Sequence, residues 1–93
     1  MTLPYKVRVS SEARRGLNRL PGKVAVAVVE FITGPLAENP RKLSKPLRGD
    51  LHEYRSARRG DYRVLIRVIE PEEAVLIVRI DHRAHVYRSR PSP

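Results

Sequence analysis

Arginines are concentrated in one short segment of this 93-residue chain, with five of them between positions 54 and 67. The segment bends at Gly60 and Asp61, and the residues on either side alternate as in the two strands of a β-hairpin. Like charges that face each other across two strands destabilise a sheet. A cluster of guanidinium groups on such a surface therefore favours an anionic partner, of which nucleic acid is the commonest large one.

A two-residue loop at this bend also predicts which side chains share a face. The residues expected opposite each other are Arg58 and Arg63, Ser56 and Leu65, and Tyr54 and Arg67. In this register Arg58 and Arg63 would hold the oxygens of one phosphodiester. The alternative is that carboxylates such as Asp61 and Glu53 neutralise both arginines. Arg55 would point into the core, unless a bulge beside it turns it to the other face.

A second group of chemically active side chains follows the last apolar run of the chain. Residues 81–87 read Asp-His-Arg-Ala-His-Val-Tyr and so carry two imidazoles, a guanidinium and a phenol. The position directly after a strand is where functional side chains are commonly mounted. Histidine suits proton transfer near neutral pH, and tyrosine can stack on a base. Each of these residues alone is also common on surfaces, so the hypothesis depends on their combination with the arginine hairpin.

The composition indicates one small basic domain over residues 1–93, in which residues 89–93 form a disordered tail. Nineteen lysines and arginines against ten acidic residues give a net charge of +9, as in proteins that meet phosphates. The plain alternative is a soluble basic domain without such a partner. The chain has no cysteine, and its three histidines lack a zinc-ligand spacing, so we expect no metal and no cofactor. The sequence has no apolar stretch long enough to span a membrane and no recognisable signal peptide. The protein is therefore predicted to be cytoplasmic and to have no membrane partner.

Hydrophobic spacing and breakers predict the elements that hold these side chains. Residues 5–9 alternate as a strand, and Ser10 or Ser11 can cap the helix that follows. Pro21 separates this helix from a second one, which should stop near Gly34-Pro35. Three strands follow over residues 51–59, 62–70 and 74–80. The order β-α-α-β-β-β predicts an α+β fold: two N-terminal helices packed on one face of a small, mostly antiparallel four-stranded sheet, with the other face open and basic.

The two chemically active segments resemble those of the RelE/ParE superfamily of bacterial toxins, and within it the RelE branch. The matching motifs are residues 58–65 (Arg-Arg-Gly-Asp-Tyr-Arg-Val-Leu) and 81–88 (Asp-His-Arg-Ala-His-Val-Tyr-Arg), supported by residues 13–21 and 45–51. The resemblance extends over residues 5–88, nearly the whole chain. The predicted order of elements is also that of the family.

The resemblance implies a toxin of a type II toxin–antitoxin system that acts as a ribosome-dependent mRNA endonuclease in the bacterial cytoplasm. Such toxins cut the codon in the ribosomal A site without a metal. The 2′-hydroxyl attacks the adjacent phosphate and leaves a 2′,3′-cyclic phosphate and a free 5′-hydroxyl. The implied partners are the ribosome, mRNA and a cognate acidic antitoxin similar to RelB, with operator DNA bound only through the antitoxin complex. The alternatives are a gyrase-inhibiting toxin of the ParE branch and a ribosome- or RNA-binding protein that does not cut.

The resemblance also implies roles for individual residues. The residues assigned to catalysis are Arg63, Arg83, Tyr87, Arg58 and His85. The residues assigned to RNA binding are Arg55, Arg59, Arg67, Lys45, Arg48 and Arg88. Arg63 and Arg83 would stabilise the phosphorane. Tyr87 would stack on or orient the target nucleotide, and His85 would act as the general acid.

One departure from the RelE pattern concerns the general base. Tyr54 and Ser56 stand where that pattern has two lysines, and an arginine is a poor base because it stays protonated. One alternative is that His82 or His85 takes the role. The others are that Arg55 enters through a bulge and acts electrostatically, or that turnover is slow.

Overall fold

The computed structural model describes residues 3–82, in which two helices and five strands are found. The helices are α1 (Ser11–Arg19) and α2 (Gly22–Phe31), and the strands are β1 (Lys6–Val9), β2 (Lys45–Pro46), β3 (Tyr54–Arg59), β4 (Tyr62–Ile69) and β5 (Ala74–His82). The strands lie in the order β1-β5-β4-β3-β2. The pair β1 and β5 is parallel, and the other neighbouring pairs are antiparallel. The tail predicted to be disordered, residues 89–93, lies outside the described range.

The α+β fold expected from the sequence is confirmed, but the sheet has five strands where four were predicted. The additional strand, β2, contains two residues and pairs with β3 through Lys45 opposite Ser56 and Pro46 opposite Arg55. A strand this short has no alternation for a sequence pattern to reveal. Its proline is tolerated because an edge strand leaves one side of its backbone unpaired.

The first helix is fixed to β5 at both its N-terminus and its middle. Ser10 is the N-cap: its hydroxyl accepts a hydrogen bond from the Ala13 amide (3.0 Å) and donates one to the Val78 carbonyl (2.7 Å). Gly16 lies so close to the strand that a Cβ built on it would be 2.8 Å from the Ile80 carbonyl oxygen. Glycine therefore permits an approach of helix to strand that a larger residue would prevent.

The second helix does not stop at Gly34-Pro35 as predicted. After Phe31 the chain continues through a π-helical turn, Ile32–Leu36, and the helical conformation persists to residue 38. Proline cannot donate the hydrogen bond of an ordinary turn, and its ring crowds the turn before it. The wider π turn accommodates Pro35 without ending the helix. Even with this extension, no helix within residues 3–82 is long and apolar enough to cross a membrane.

The hydrophobic core lies between the helices and one face of the sheet. Its largest fully buried side chains are Leu36, Ile66, Ile77, Val28, Val64 and Val75. Phe31 of α2 packs edge-on against Tyr62 of β4, with the ring centroids 6.4 Å apart. Since successive strand residues point to opposite faces, the intervening residues of β4 point away from the helices. We call this second, uncovered side of the sheet the open face.

Three side chains join the start of β1, the turn after β4 and the loop before β2. The Tyr5 hydroxyl donates a hydrogen bond to one carboxylate oxygen of Glu70 (2.7 Å), and Arg41 Nε donates to the other (2.6 Å). The hydrogen bond from Tyr5, followed by that from Arg41, lowers the pKa of Glu70 below its ordinary value of 4.5. The same hydrogen bond from Tyr5 to the carboxylate raises the pKa of Tyr5. This network therefore depends on an ionised carboxylate and a protonated phenol.

Replacement of Gly16 by alanine is expected to destabilise the fold, by about 1–3 kcal/mol, because the added Cβ would overlap the backbone of β5. The matched control is Gly22→Ala, since nothing lies within 4 Å of a Cβ at that position. The control should leave stability unchanged or raise it by up to about 1 kcal/mol. Urea unfolding followed by circular dichroism measures both. Equal stability of the two variants would contradict the close packing of α1 on β5.

The free energy of unfolding is expected to decrease as the pH falls through the acidic range. Because the folded pKa of Glu70 is lowered, its carboxylate stabilises the fold above the ordinary value of 4.5, and this contribution is lost as the pH falls through the folded pKa. Tyr5→Phe removes the largest cause of the shift, so this variant should lose less stability on acidification. Urea unfolding at neutral pH and at about pH 3 measures the difference. An equal loss in both proteins would show that the network does not contribute.

Candidate nucleic-acid interface

The β3–β4 hairpin has the register predicted from its turn. The opposed residues are Arg58 and Arg63, Ser56 and Leu65, and Tyr54 and Arg67. Gly60 has a φ of 58°, which glycine adopts without strain and which suits the first position of a two-residue hairpin loop. The pairing of β3 with β4 is continuous, so the alternative of a bulge beside Arg55 is wrong. The irregularity lies in β5, where Val78 is left between the partners of Leu65 and Ile66.

Three charged side chains form a row across the open face near the hairpin turn. Arg58 of β3 lies opposite Arg63 of β4, which in turn lies opposite Asp81 of β5. Side chains opposite each other on antiparallel strands have Cβ atoms about 5 Å apart. Both arginines are exposed, and no salt bridge to either is found within residues 3–82. The two positive charges repel each other, and an anion between them would be stabilised.

The rest of the open face is mixed in character, which corrects the prediction of a basic face. Leu65 and Leu76 lie on it, and both are partly buried. Arg67 forms a salt bridge with Glu53 (3.3 Å), and its guanidinium carbon lies 5.9 Å from the centroid of the Tyr54 ring. Glu53 thus neutralises this arginine and not the arginine pair near the turn.

Arg55 lies on the helix-covered side of β3 and holds the loop that precedes β2. Its Nε donates a hydrogen bond to the Ser44 hydroxyl (2.7 Å). One terminal nitrogen donates to the carbonyl oxygens of Ser44 (3.0 Å) and Arg41 (3.1 Å). The Ser44 side chain is buried, so these contacts connect Arg55 to the interior of the loop. The structure therefore does not bring Arg55 to the open face.

The other residues assigned to RNA binding are divided between the two sides of the sheet. Arg59 lies on the helix side, where its guanidinium carbon is 5.3 Å from the centroid of the Phe31 ring in a cation–π contact. Lys45 is brought to the open face by β2, opposite Ser56. Arg48 is exposed in the loop between β2 and β3. Among the RNA-binding candidates on the open face, Lys45 lies nearest to the row in strand register, because its partner Ser56 is two residues from Arg58.

Four residues assigned from the motif at residues 81–88 lie outside the described part of the chain: Arg83, His85, Tyr87 and Arg88. They follow β5, which ends at His82, so the chain enters this segment directly from the strand that carries Asp81. Within the described residues there is no cluster of three or more potential metal ligands.

Asp81 is a functional candidate to which the sequence pattern assigns no role. Its Oδ1 accepts a hydrogen bond from Arg79 Nε (3.0 Å), which is also 3.9 Å from a carboxylate oxygen of Glu12 on α1. The Asp81 side chain is 22% exposed. Alternation along β5 could predict on which face of the sheet Asp81 lies. Only the strand pairing shows that Asp81 lies opposite Arg63.

A cavity of about 440 Å³ adjoins Asp81 between α1 and the end of β5. Arg15 and Arg19 line one wall and are four residues apart, which places them on the same side of the helix. Apolar groups, among them Leu20 and Ile80, form another part of the lining. Of the three residues of the row, Asp81 lines this cavity, and Arg58 and Arg63 do not.

The chain matches the family described as the ParE toxin of type II toxin–antitoxin systems, parDE, over residues 7–87. This range contains both the arginine hairpin and residues 83–87 of the segment that follows β5. The match therefore concerns the whole arrangement of elements and not one motif.

Two toxins of Mycobacterium tuberculosis are similar to this chain over nearly their whole length. Toxin RelE is 49% identical over 88 residues, which cover 95% of this chain and 91% of that toxin. Toxin RelG is 48% identical over 86 residues, which cover 92% of this chain and 99% of that toxin. A chain in the crystal structure of the toxin–antitoxin complex RelBE2 from the same organism is 46% identical and superposes with a TM-score of 0.86 over 90% of this chain and 97% of that chain.

Replacement of Arg55 by alanine is expected to lower the free energy of unfolding by about 1–3 kcal/mol, because Ser44 and two carbonyl oxygens lose their donor. The matched control is Arg58→Ala, which removes the same side chain from the exposed side of the same strand. The control should leave stability unchanged or slightly higher, since it relieves a like-charge contact. Thermal unfolding of the two variants distinguishes these outcomes. Equal effects would mean that Arg55 does not hold the loop.

Proposed function

The chain belongs to the ParE toxin family of type II toxin–antitoxin systems, and from this membership we propose that it is an endonuclease that cuts mRNA on the ribosome. The exposed pair Arg58 and Arg63 is the observation that carries the proposal. Two facing guanidinium groups weaken a sheet, and a phosphodiester between them would turn this repulsion into attraction. RNA bound to this face would therefore offset the destabilisation that the pair causes in the sheet.

The proposed reaction is metal-independent and uses the RNA's own 2′-hydroxyl. Attack on the adjacent phosphate places extra negative charge on the phosphorane, which Arg63 and Arg83 stabilise, with Arg58 as a further cation. Tyr87 stacks on or orients the target nucleotide. His85 donates a proton to the 5′-oxygen as it leaves. The arginines cannot act as the base because they remain protonated.

The positively charged residues around the row bind the RNA backbone on either side of the cut. Lys45 lies on the open face, and Arg48 is exposed in the loop beside it. Arg67 lies on the same face and contributes less, because its salt bridge with Glu53 already engages its charge. Arg88 contributes from the segment after β5. Arg55 and Arg59 support this surface from the other side of the sheet, through the loop before β2 and through Phe31.

The proposed partners are the ribosomal A site with its mRNA and a cognate acidic antitoxin in the bacterial cytoplasm. The net charge of +9 favours an acidic protein as inhibitor, since opposite charges accelerate and orient association. The similar chain of known structure was crystallised as a toxin–antitoxin complex, RelBE2. Operator DNA is contacted only through the antitoxin.

A second candidate function is inhibition of DNA gyrase, which is favoured by the ParE description of the matching family. Tyr54 and Ser56 in place of the lysines of the RelE pattern are also compatible with a toxin that does not cut RNA. In that case expression should induce the DNA damage response and leave translation initially intact. A third candidate, an RNA-binding protein without cleavage, would show salt-dependent binding and no cut RNA.

The direct test is to map mRNA 5′ ends after brief expression in bacteria. We expect in-frame cuts within translated codons. Arg63→Ala and Arg83→Ala should each relieve growth arrest, because loss of one group that stabilises the transition state lowers the rate by roughly 100- to 1,000-fold. Arg14→Ala is the matched control, since it removes an exposed arginine from α1 and should remain toxic.

Circular dichroism and expression level must show that the variants are folded and present. Intact transcripts in arrested cells would exclude the endonuclease, and cleaved gyrase–DNA complexes would favour the second candidate. Full toxicity of both folded variants would show that the site is assigned to the wrong residues.

A further inference from the structure

We propose that Asp81 is the general base of the RNA cleavage reaction and takes the proton from the attacking 2′-hydroxyl. This inference rests on the proposed function and adds a residue to its site. It is carried by the position of Asp81 beside Arg63 on the open face and by the hydrogen bond that orients its carboxylate.

The strand pairing places Asp81 at the right position relative to the phosphate-binding arginines. Arg63 stands between Arg58 on one side and Asp81 on the other, in a row across three neighbouring strands. A phosphate held by the two arginines lies on the same face as the carboxylate, about one strand spacing away. The 2′-hydroxyl of the nucleotide before that phosphate is covalently close to it. The carboxylate is therefore within the region where that hydroxyl must lie.

The carboxylate is also held in a fixed orientation by groups outside the row. Arg79 Nε donates a hydrogen bond to Oδ1 (3.0 Å), and α1 approaches the same guanidinium through Glu12 at 3.9 Å. A carboxylate has two oxygens, and this contact engages one of them. The side chain is 22% exposed, and the 440 Å³ cavity lies next to it. The acceptor is thus fixed but still accessible to an RNA strand.

The other described side chains of this part of the open face are less suited to accept a proton. The guanidinium groups of Arg58 and Arg63 stay protonated, and a lysine ammonium such as that of Lys45 has no acceptor site. The neighbouring Ser56 hydroxyl is a weak base. An ionised carboxylate is an acceptor only, so Asp81 has the chemistry that the row otherwise lacks.

The proposed step is balanced in bonds and protons. The 2′-oxygen forms a bond to phosphorus while its proton passes to the carboxylate of Asp81. The bond from phosphorus to the 5′-oxygen breaks, and that oxygen takes a proton from the general acid or from water. The products are a 2′,3′-cyclic phosphate, a 5′-hydroxyl and a protonated Asp81, which then returns its proton to solvent.

Within residues 3–82, the charged and titratable groups that face Asp81 come from three elements. Arg63 faces it from β4, and Arg79 and His82 are its neighbours on β5. From α1, the residues at the shared cavity are Glu12, Arg15 and Arg19. Among them, Glu12 is the other carboxylate that approaches Arg79, so its removal is the control for effects that act only through this arginine.

The test is single-turnover cleavage by the full-length protein on ribosomes programmed with a defined mRNA, with ribosome binding measured separately. Asp81→Asn keeps the shape and the hydrogen bond from Arg79 but cannot act as the base. We expect its cleavage rate to fall by roughly 100-fold or more while binding is unchanged. Asp81→Glu should recover part of the rate. Glu12→Gln should cut at nearly the wild-type rate, because it leaves the hydrogen bond from Arg79 to Asp81 in place.

Each other outcome overturns the assignment. A wild-type rate in Asp81→Asn would exclude a base role while leaving the proposed function intact. Equal losses in Asp81→Asn and Glu12→Gln would mean that Asp81 acts only by holding Arg79. A loss of ribosome binding that accounts for the loss of rate would assign Asp81 to docking. A wild-type protein that binds ribosomes and cuts no RNA would overturn both the proposed function and this inference.

Discussion

The register of the β3–β4 hairpin is the constraint on which the rest of the structure depends. The turn at Gly60 sets Arg58 against Arg63 on one side of the sheet and buries Ala57 and Val64 on the other. Since the side-chain period of a strand is two, a shift by one residue would bury the arginines and expose the core. The buried residues therefore enforce the position of the charged pair. Stability of the fold and geometry of the site are consequences of the same pairing.

The second contribution comes from the contact between α1 and β5. The Ser10 cap and the close approach at Gly16 fix the helix against the last strand. The same helix carries Glu12, which approaches Arg79, and this arginine orients the carboxylate of Asp81. The helix thus supports the row of charged residues without taking part in it. It also forms one wall of the cavity beside the row.

Charge alone is a poor guide to which arginines meet a ligand in this protein. Arg55 and Arg59 belong to the same basic segment as Arg58, but they face the helices and bind a loop and an aromatic ring. Arg67 is on the open face and is neutralised by Glu53. An arginine that is already paired gains little from an anion, because its hydrogen bonds and charge are in use. Within residues 3–82, Arg58 and Arg63 have neither a salt bridge nor the hydrogen bonds and ring contacts that engage Arg55, Arg59 and Arg67.

Local patterns in the sequence determined the two-helix α+β class, a cap at Ser10 or Ser11 and the pairing of Arg58 with Arg63, because caps, periodicity and turn residues act over a few positions. Short sequence motifs also gave the resemblance to the RelE/ParE superfamily. Only the tertiary structure shows the features that depend on contacts between distant segments. It added β2 beside β3 and carried α2 through a π turn past Pro35. It also brought Asp81 to Arg63 across a strand pairing that includes an irregularity at Val78. Such pairings are set by how buried side chains from separate elements fit together, which no local pattern records.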